Sequence, residues 1–87
     1  MNNKFNYTYD FLREKNQKLV LERNISFEEI ISAIQNGCLI DIVEHPNSEK
    51  YYNQKMYIVE LNHYIYLVPF IIQDDETIFL KTIFLRS

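Results

Sequence analysis

The chain is poor in glycine, proline and cysteine, the residue types that are typical of linkers, disordered tails and disulfide-rich domains. Its 87 residues include one glycine, two prolines and one cysteine, and no tryptophan. So little glycine and proline argues against a flexible linker or a disordered tail, and Cys38 alone provides neither a disulfide framework nor a cysteine metal site. No apolar run approaches the ~20 residues of a membrane span, and Met1-Asn2-Asn3-Lys4 is not a secretory apolar segment. We therefore expect a soluble cytoplasmic domain.

Apolar side chains, by contrast, are plentiful. Hydrophobic residues make up 47% of the sequence and aromatic residues 15%. A chain of this length holds one ordinary core, so we expect a single domain over residues 1–87. The net charge of −3 argues against a general nucleic-acid coat protein. Basic residues nevertheless outnumber acidic ones within residues 1–24, which allows either a basic surface there or ordinary helical ion pairs such as Glu14 with Lys18.

The first helix is predicted over about residues 10–23, with Asp10 as its N-cap. Spacings of four, three and four residues place four side chains on one helix face. They are Leu12, Asn16, Leu19 and Arg23. We expect Asn16 and Arg23 to point toward the surface on which the helix packs, because they share that face with two leucines.

The second helix has clear signals at both ends and is predicted over about residues 27–36. Ser26 and Glu29 have the spacing of a capping box, and Ile25 and Ile30 stand at the positions of a hydrophobic staple. Gly37 follows where a left-handed residue commonly ends a helix.

After Gly37 the apolar period shortens from nearly four residues to nearly two, which predicts strands. The strands are expected at about 39–45, 55–61, 64–70 and 78–85. Asn62-His63 is a two-residue hairpin candidate between the second and third strands. Two helices followed by consecutive strands predict an α+β fold, in which two N-terminal helices pack on a four-stranded antiparallel meander.

Seven short pieces of the sequence, in this order and spacing, resemble the BrnT toxin family. They are Lys15-Asn16, Arg23 to Glu29, Leu39-Ile40-Asp41-Ile42, His45-Pro46-Asn47, Asn53-Gln54-Lys55, Leu67-Val68-Pro69-Phe70 and Phe79-Leu80-Lys81-Thr82. That family belongs to the RelE/ParE superfamily of type II toxin–antitoxin systems. The resemblance implies a ribonuclease that stops translation, a cognate DNA-binding antitoxin as partner, and either a homodimer or a toxin–antitoxin hetero-oligomer.

Cleaving RNA without a metal or another cofactor requires a base, an acid and cations on the phosphate. The catalytic candidates are Glu44, His45, Lys81 and Arg86, and the RNA-binding candidates are Arg23, Gln54 and Lys55. Strict alternation puts Lys81 on the side of Phe79, Ile83 and Leu85, and Arg86 on the opposite side unless a bulge re-aims it. Asp41, Glu44, His45 and His63 fit no recognised metal-ligand spacing, so no metal site is expected.

Each candidate also has an ordinary structural interpretation. His45 can be an exposed strand end before Pro46, and Lys81 can simply face water. The tyrosines between residues 51 and 66 can stack on bases, but they can equally well pack in a sheet or an interface. The acidic balance favours an alternative function, a catalytically inactive RelE-like protein that binds a cognate antitoxin. A small-ligand enzyme is a third class, for which the sequence contains no motif.

Overall fold

The computed structural model describes residues 7–86, so Met1 to Lys4 lie outside the described residues. The domain is α+β, with two helices and an open sheet of six strands, and this coarse class is the one predicted. The elements in chain order are β1 (Thr8–Asp10), α1 (Arg13–Arg23), α2 (Phe27–Gln35), β2 (Leu39–Glu44), β3 (Lys55–Leu61), β4 (Tyr64–Ile72), β5 (Thr77–Leu80) and β6 (Phe84–Arg86). No helix within residues 7–86 is long and apolar enough to cross a bilayer.

The sheet is mixed, with strand order β1-β5-β4-β3-β2. Neighbouring strands are antiparallel except for β1, which pairs in parallel with β5. β6 pairs with β4 beyond the end of β5, so β4 has two partners along the same edge. The expected strand at 78–85 is therefore two strands, and the expected four-stranded sheet gains β1 and β6.

The predicted start of the first helix is wrong. Asp10 is not an N-cap but the last residue of β1, where it pairs with Phe79, and α1 begins at Arg13 after Leu12. The physical reason lies in the residues before Asp10, because Tyr9 pairs with Ile78 and packs its side chain against the core. Extended backbone over Thr8–Asp10 leaves no room for an earlier helical turn.

The second helix has the caps that its sequence predicts. The Ser26 hydroxyl accepts a hydrogen bond from the Glu29 N–H at 3.1 Å, and the Glu29 carboxylate accepts one from the Ser26 N–H at 2.9 Å. At the other end Gly37 has a φ of +87°, and the Cys38 N–H reaches the Ala33 carbonyl at 2.9 Å. These bonds satisfy backbone groups that a helix end leaves without partners.

The helices pack on one face of the sheet and enclose the core. Its buried side chains include Leu19, Phe27 and Ile30 from the helical segment, together with Tyr57, Val59, Val68, Phe70, Ile78 and Leu80 from the strands. The predicted α1 face points inward at Leu19 and forms tertiary hydrogen bonds at Asn16 and Arg23. Leu12, which precedes the first turn, is 63% exposed.

Asn16 ties the two helices together through both atoms of its side-chain amide. Its Oδ1 accepts a hydrogen bond from the Phe27 N–H at 2.7 Å, and its Nδ2 donates to the Glu28 carboxylate at 2.8 Å. The first N–H groups of a helix have no partner within the helix, so Asn16 satisfies one of them from a neighbouring element. The polar position in the α1 stripe is therefore structural.

A one-residue bulge separates β5 from β6. Leu80 pairs with Phe70 and the Lys81 N–H donates to the Pro69 carbonyl at 2.8 Å, but Leu85 then pairs with Tyr66. An unbroken register would pair Leu85 with Ile65, so one extra residue is inserted on the β5–β6 side. The prediction that Ile83 and Leu85 lie on the same face as Lys81 is therefore wrong. Arg86, which strict alternation placed on the opposite face, lies on the same face as Lys81.

Candidate functional site

The second face of the sheet carries no helix in the described part of the chain, and we call it the open face. It is defined by the strand positions that alternate with the core residues. Its apolar centre consists of Val43, Met56, Ile58, Ile65, Leu67, Pro69, Ile71, Phe79 and Phe84. Met56 and Pro69 are buried, Phe84 is exposed and the others are half-buried. Nearly every central position of this face is apolar, although no helix among residues 7–86 covers it.

Charged side chains border the apolar centre on two opposite sides. Lys81 and Arg86 form a basic margin along β5 and β6, with Asp10 beyond it on β1, and Asp41 and Glu60 form an acidic margin along β2 and β3. Arg86 and Glu60 lie in one cross-strand row, because both pair with Ile65 on β4. Two strand spacings separate them, or about 10 Å.

Lys81 faces water, which is one of the two interpretations that the sequence left open. Its side chain is exposed and its Nζ lies 5.5 Å from the centre of the Phe79 ring. Lys81 lies opposite Pro69 of β4, and Arg86 lies opposite Ile65 of the same strand. These two β4 residues are four positions apart, which corresponds to roughly 13 Å. The two cations of the basic margin therefore share a face without sharing one phosphate-sized site.

The other catalytic candidates lie at the far edge of the sheet. Glu44 pairs with Lys55 at the end of β2, on the face that holds the helices, and both side chains are exposed. The His45 ring lies 4.4 Å from the Tyr51 ring, and its Nδ1 accepts a hydrogen bond from the Asn47 N–H at 3.1 Å. Gln54 bonds to the same segment, since its carbonyl accepts the His45 N–H at 3.3 Å. These contacts close the loop after β2.

Arg23 is held at the bulge. Its guanidinium donates a hydrogen bond to the Ile83 carbonyl at 2.6 Å and lies 5.8 Å from the centre of the Phe84 ring. A bulge leaves a strand carbonyl without a ladder partner, and Arg23 supplies one. Arg23, which the sequence predicts as an RNA-binding residue, thus has a structural partner within the fold. Nothing in the sequence predicted the bulge whose carbonyl it binds.

The structure brings the candidates into two separate groups. Lys81 and Arg86 share the open face, whereas Glu44, His45, Gln54 and Lys55 gather at the β2–β3 edge about three strand spacings, or ~14 Å, from β5. An acid, a base and a phosphate-binding cation need to lie within hydrogen-bond reach of one reacting group. Within residues 7–86 no three potential metal ligands cluster either. The seven candidates therefore do not converge on one reacting group among the described residues.

Most of the tyrosines belong to the core and not to a base-stacking platform. Tyr57 is buried, stacks on Phe70 with ring centres 4.0 Å apart, and meets Tyr9 edge-on at 6.5 Å. Burial raises the pKa of the Tyr57 hydroxyl, and the neighbouring Tyr9 adds to the rise. The exposed tyrosines are Tyr52 in the loop and Tyr64 at the start of β4, which are too far apart in the sheet to form one surface.

Two clefts formed by the described residues lie near the ends of the helices. One cleft of about 210 Å³ is lined by Arg23, Ile25, Tyr66, Ile83 and Leu85. Another, of about 380 Å³, lies beside α2 between Glu29, Cys38 and Leu61. Ligand pockets usually measure ~300–1,000 Å³ and combine apolar walls with convergent polar groups. The first cleft is smaller than such pockets, and its one cation already donates a hydrogen bond to the carbonyl at the bulge. The second cleft is open to solvent.

No family model, curated protein or solved structure matches the chain. The resemblance to the BrnT toxin family therefore rests on the seven sequence pieces alone.

Removing the Tyr57 hydroxyl should make the domain less sensitive to alkali. An unfolded tyrosine ionises near pH ~10, whereas folded Tyr57 keeps its proton because its pKa is raised. The contribution of the Tyr57 hydroxyl to the free energy of unfolding is therefore complete below that pH. It declines as the pH rises further, by at most ~1.4 kcal/mol per pH unit. Urea unfolding between about pH 8 and about pH 11 should show a shallower decline for Tyr57→Phe than for the wild type.

Tyr52→Phe is the matched control, because Tyr52 is exposed and its hydroxyl has no buried environment to lose. The control should follow the wild-type curve. Equal alkaline slopes for Tyr57→Phe and the wild type would mean that the Tyr57 hydroxyl ionises freely in the folded protein.

Proposed function

We propose that this protein is an interaction protein of the toxin–antitoxin type that docks a protein partner on its open face and has no RNA-cleaving centre. The observation that carries the proposal is the apolar centre of that face, bordered by charges, on a sheet whose other face holds both helices. The resemblance to the BrnT toxin family makes a cognate antitoxin the expected partner.

The composition of the open face supports protein docking. Monomeric proteins seldom leave a large contiguous apolar patch uncovered, and patches rimmed by polar residues commonly mark interaction sites. Protein interfaces have the same layout, with few charges at the centre and a polar rim. Ile58 and Leu67 pair at the middle of the open face, and charged residues occupy its two margins.

The distribution of charge speaks against RNA as the principal ligand. A nucleic-acid surface needs several cations along one track, since affinity comes mainly from phosphate contacts. The open face has two cations, Lys81 and Arg86, and three carboxylates, Asp10, Asp41 and Glu60. Its carboxylates outnumber its cations, and the remaining candidate groups lie at the β2–β3 edge.

The second candidate function, a metal-independent endoribonuclease, is favoured by one observation. The bulge between β5 and β6 turns Arg86 onto the face of Lys81. Two phosphates of a single strand could contact these two cations. His45 or Glu44 would then have to reach the bound strand from the far edge for cleavage to follow.

Co-expression with the product of the adjacent reading frame tests the docking proposal. We expect a complex that survives gel filtration and is lost in Leu67→Asp, because a charge at the apolar centre would have to be desolvated without a partner. Leu21→Asp is the matched control, since Leu21 is 87% exposed on α1, and this variant should still bind. A folded Leu67→Asp variant that binds as tightly as the wild type would place the contact elsewhere.

Incubation of the purified chain with a labelled mRNA and with ribosomes separates the two functions. The docking proposal expects intact RNA at every protein concentration and normal growth when the chain is expressed alone. Cleavage that disappears in Lys81→Ala and Arg86→Ala variants would establish the endoribonuclease instead.

A further inference from the structure

We infer that Asn36 is a site of spontaneous deamidation and that the end of α2 controls its rate. Asn36 precedes Gly37, the only glycine in the sequence, and both residues are exposed. Asparagine is among the thermolabile residues, and a following glycine leaves the peptide nitrogen open to attack the side chain because glycine has no Cβ. Open space lies where a Cβ on Gly37 would stand. The inference is independent of the proposed function, because α2 packs on the opposite face of the sheet from the open face.

The reaction needs no reagent other than water. The Gly37 backbone nitrogen attacks Cγ of Asn36 and forms an N–Cγ bond, while the Cγ–Nδ2 bond breaks and the side-chain nitrogen leaves as ammonia with the proton of the attacking N–H. Water then opens the cyclic imide at one of its two carbonyl carbons. Opening at Cγ gives aspartate, and opening at the backbone carbonyl carbon gives isoaspartate, whose main chain runs through Cβ and Cγ. Both products carry a carboxylate in place of a neutral amide.

Hydrogen bonds at the end of α2 restrain the reacting atoms. The Gly37 N–H donates to the Ile34 carbonyl at 3.2 Å, and the Cys38 N–H donates to the Ala33 carbonyl at 2.9 Å. Asn36 has a φ of −93° and a ψ of 12°, which lies beside the helical region. The Gly37 nitrogen can attack only after it gives up its hydrogen bond and its proton and the backbone turns about this ψ. Deamidation of the folded chain therefore requires the end of α2 to open.

The end of α2 is suited to such opening. Helix ends fray, and the free energy of local opening is low there. The hydrogen bond from the Gly37 N–H is longer than the usual ~2.9–3.0 Å. The last turn of α2 holds no basic side chain that could bind its carbonyls. Ala33 and Ile34, by contrast, are buried in the core and anchor the preceding turn. Opening of residues 35–38 therefore leaves the core in place.

Deamidation loosens the junction between α2 and the sheet. The new carboxylate stands at the C-terminal end of a helix, where the macrodipole disfavours negative charge. Glu28 and Glu29 line the same cleft as the deamidated side chain, so the product also adds to two existing carboxylates. Isoaspartate lengthens the main chain by one methylene before Cys38, whose carbonyl accepts the Glu60 N–H at 3.0 Å. Hydrogen exchange should therefore accelerate at the amides of Cys38 and Glu60 in the isoaspartate form.

Peptide mapping by mass spectrometry after incubation in mildly alkaline buffer tests the inference, with isoaspartyl methyltransferase labelling to count isoaspartate. Asn36 should deamidate before any other asparagine, and at least about tenfold faster in guanidinium chloride than in buffer, because denaturant removes the cost of local opening. Gln35→Gly should speed the reaction about two- to threefold in buffer, because glycine lowers helix propensity, and should leave the rate in denaturant unchanged. Asn36→Gln is the matched control and should stay intact, since glutamine would have to close a larger ring.

Each outcome decides the inference. An Asn36 that stays intact in the folded chain over many half-lives of the unfolded-chain reaction would overturn it, and so would earlier loss of another asparagine such as Asn47 or Asn53. Equal rates in buffer and in denaturant, for a chain that circular dichroism finds folded in buffer, would contradict control by the end of α2. A Gln35→Gly variant that deamidates no faster than the wild type in buffer would contradict it as well.

Discussion

Replacing Phe27 with alanine should lower the free energy of unfolding by about 3–5 kcal/mol, the usual cost of deleting a fully buried aromatic side chain. Phe27 is completely buried at the start of α2 and stacks on Phe11 with ring centres 4.8 Å apart. A domain of this size is stable by only ~5–15 kcal/mol, so a large part of its stability would be lost. Urea unfolding followed by far-ultraviolet circular dichroism measures the change.

Phe84→Ala is the control for this experiment. Phe84 is 44% exposed on β6, so its removal leaves no closed cavity and should cost much less than the removal of Phe27. Similar losses for the two variants would mean that the helices do not enclose the core at Phe27.

Replacing Arg23 with methionine should destabilise the domain by about 1.5–3 kcal/mol, the usual worth of a hydrogen bond to a charged group. Methionine keeps much of the apolar stem but leaves the Ile83 carbonyl of the bulge without its donor, which now lies at 2.6 Å. The loss should concentrate at β6. Hydrogen exchange should accelerate at the β6 amides such as Leu85 more than at the β3 amide of Val59.

Arg13→Met is the matched control, because Arg13 is exposed at the first turn of α1. Its effect on stability should be small and its exchange pattern unchanged. Wild-type exchange at β6 in Arg23→Met would show that the bulge keeps its shape without the guanidinium.

Local signals made α2 predictable from the sequence. Ser26, Glu29 and Gly37 act through contacts within a few residues, and each contact is present. The hairpin was predictable for the same reason, since Asn62 and His63 both adopt positive φ, as two-residue turns of this kind require. The polar residues of the α1 stripe were also found from spacing, although their partners Phe27 and Ile83 were not.

Contacts between distant segments were not predictable. β1 exists because Thr8–Asp10 finds a parallel partner about 70 residues later, and no local pattern announces such a pair. The bulge was equally hidden, because no glycine or proline interrupts the run from Ile78 to Leu85. It is tertiary packing that buries Ile83 and so forces the extra residue.

The candidate site was only partly predictable for the same reason. Residue type alone identified Lys81 and Arg86, but alternation placed them on opposite faces. The bulge reverses that placement and sets both beside the apolar centre of the open face. Sequence patterns also gave no warning of this centre, because Ile58 and Leu67 look like core residues until the helices are placed on the other side.

Nuclear Overhauser effects between backbone protons of β4 and β6 test the origin of the open face most directly. The bulge predicts cross-strand contacts of Leu85 with Tyr66, Phe84 with Leu67 and Arg86 with Ile65. Contacts of Leu85 with Ile65 and of Arg86 with Tyr64 would instead mean an unbroken strand, with Arg86 turned away from Lys81 and the basic margin absent.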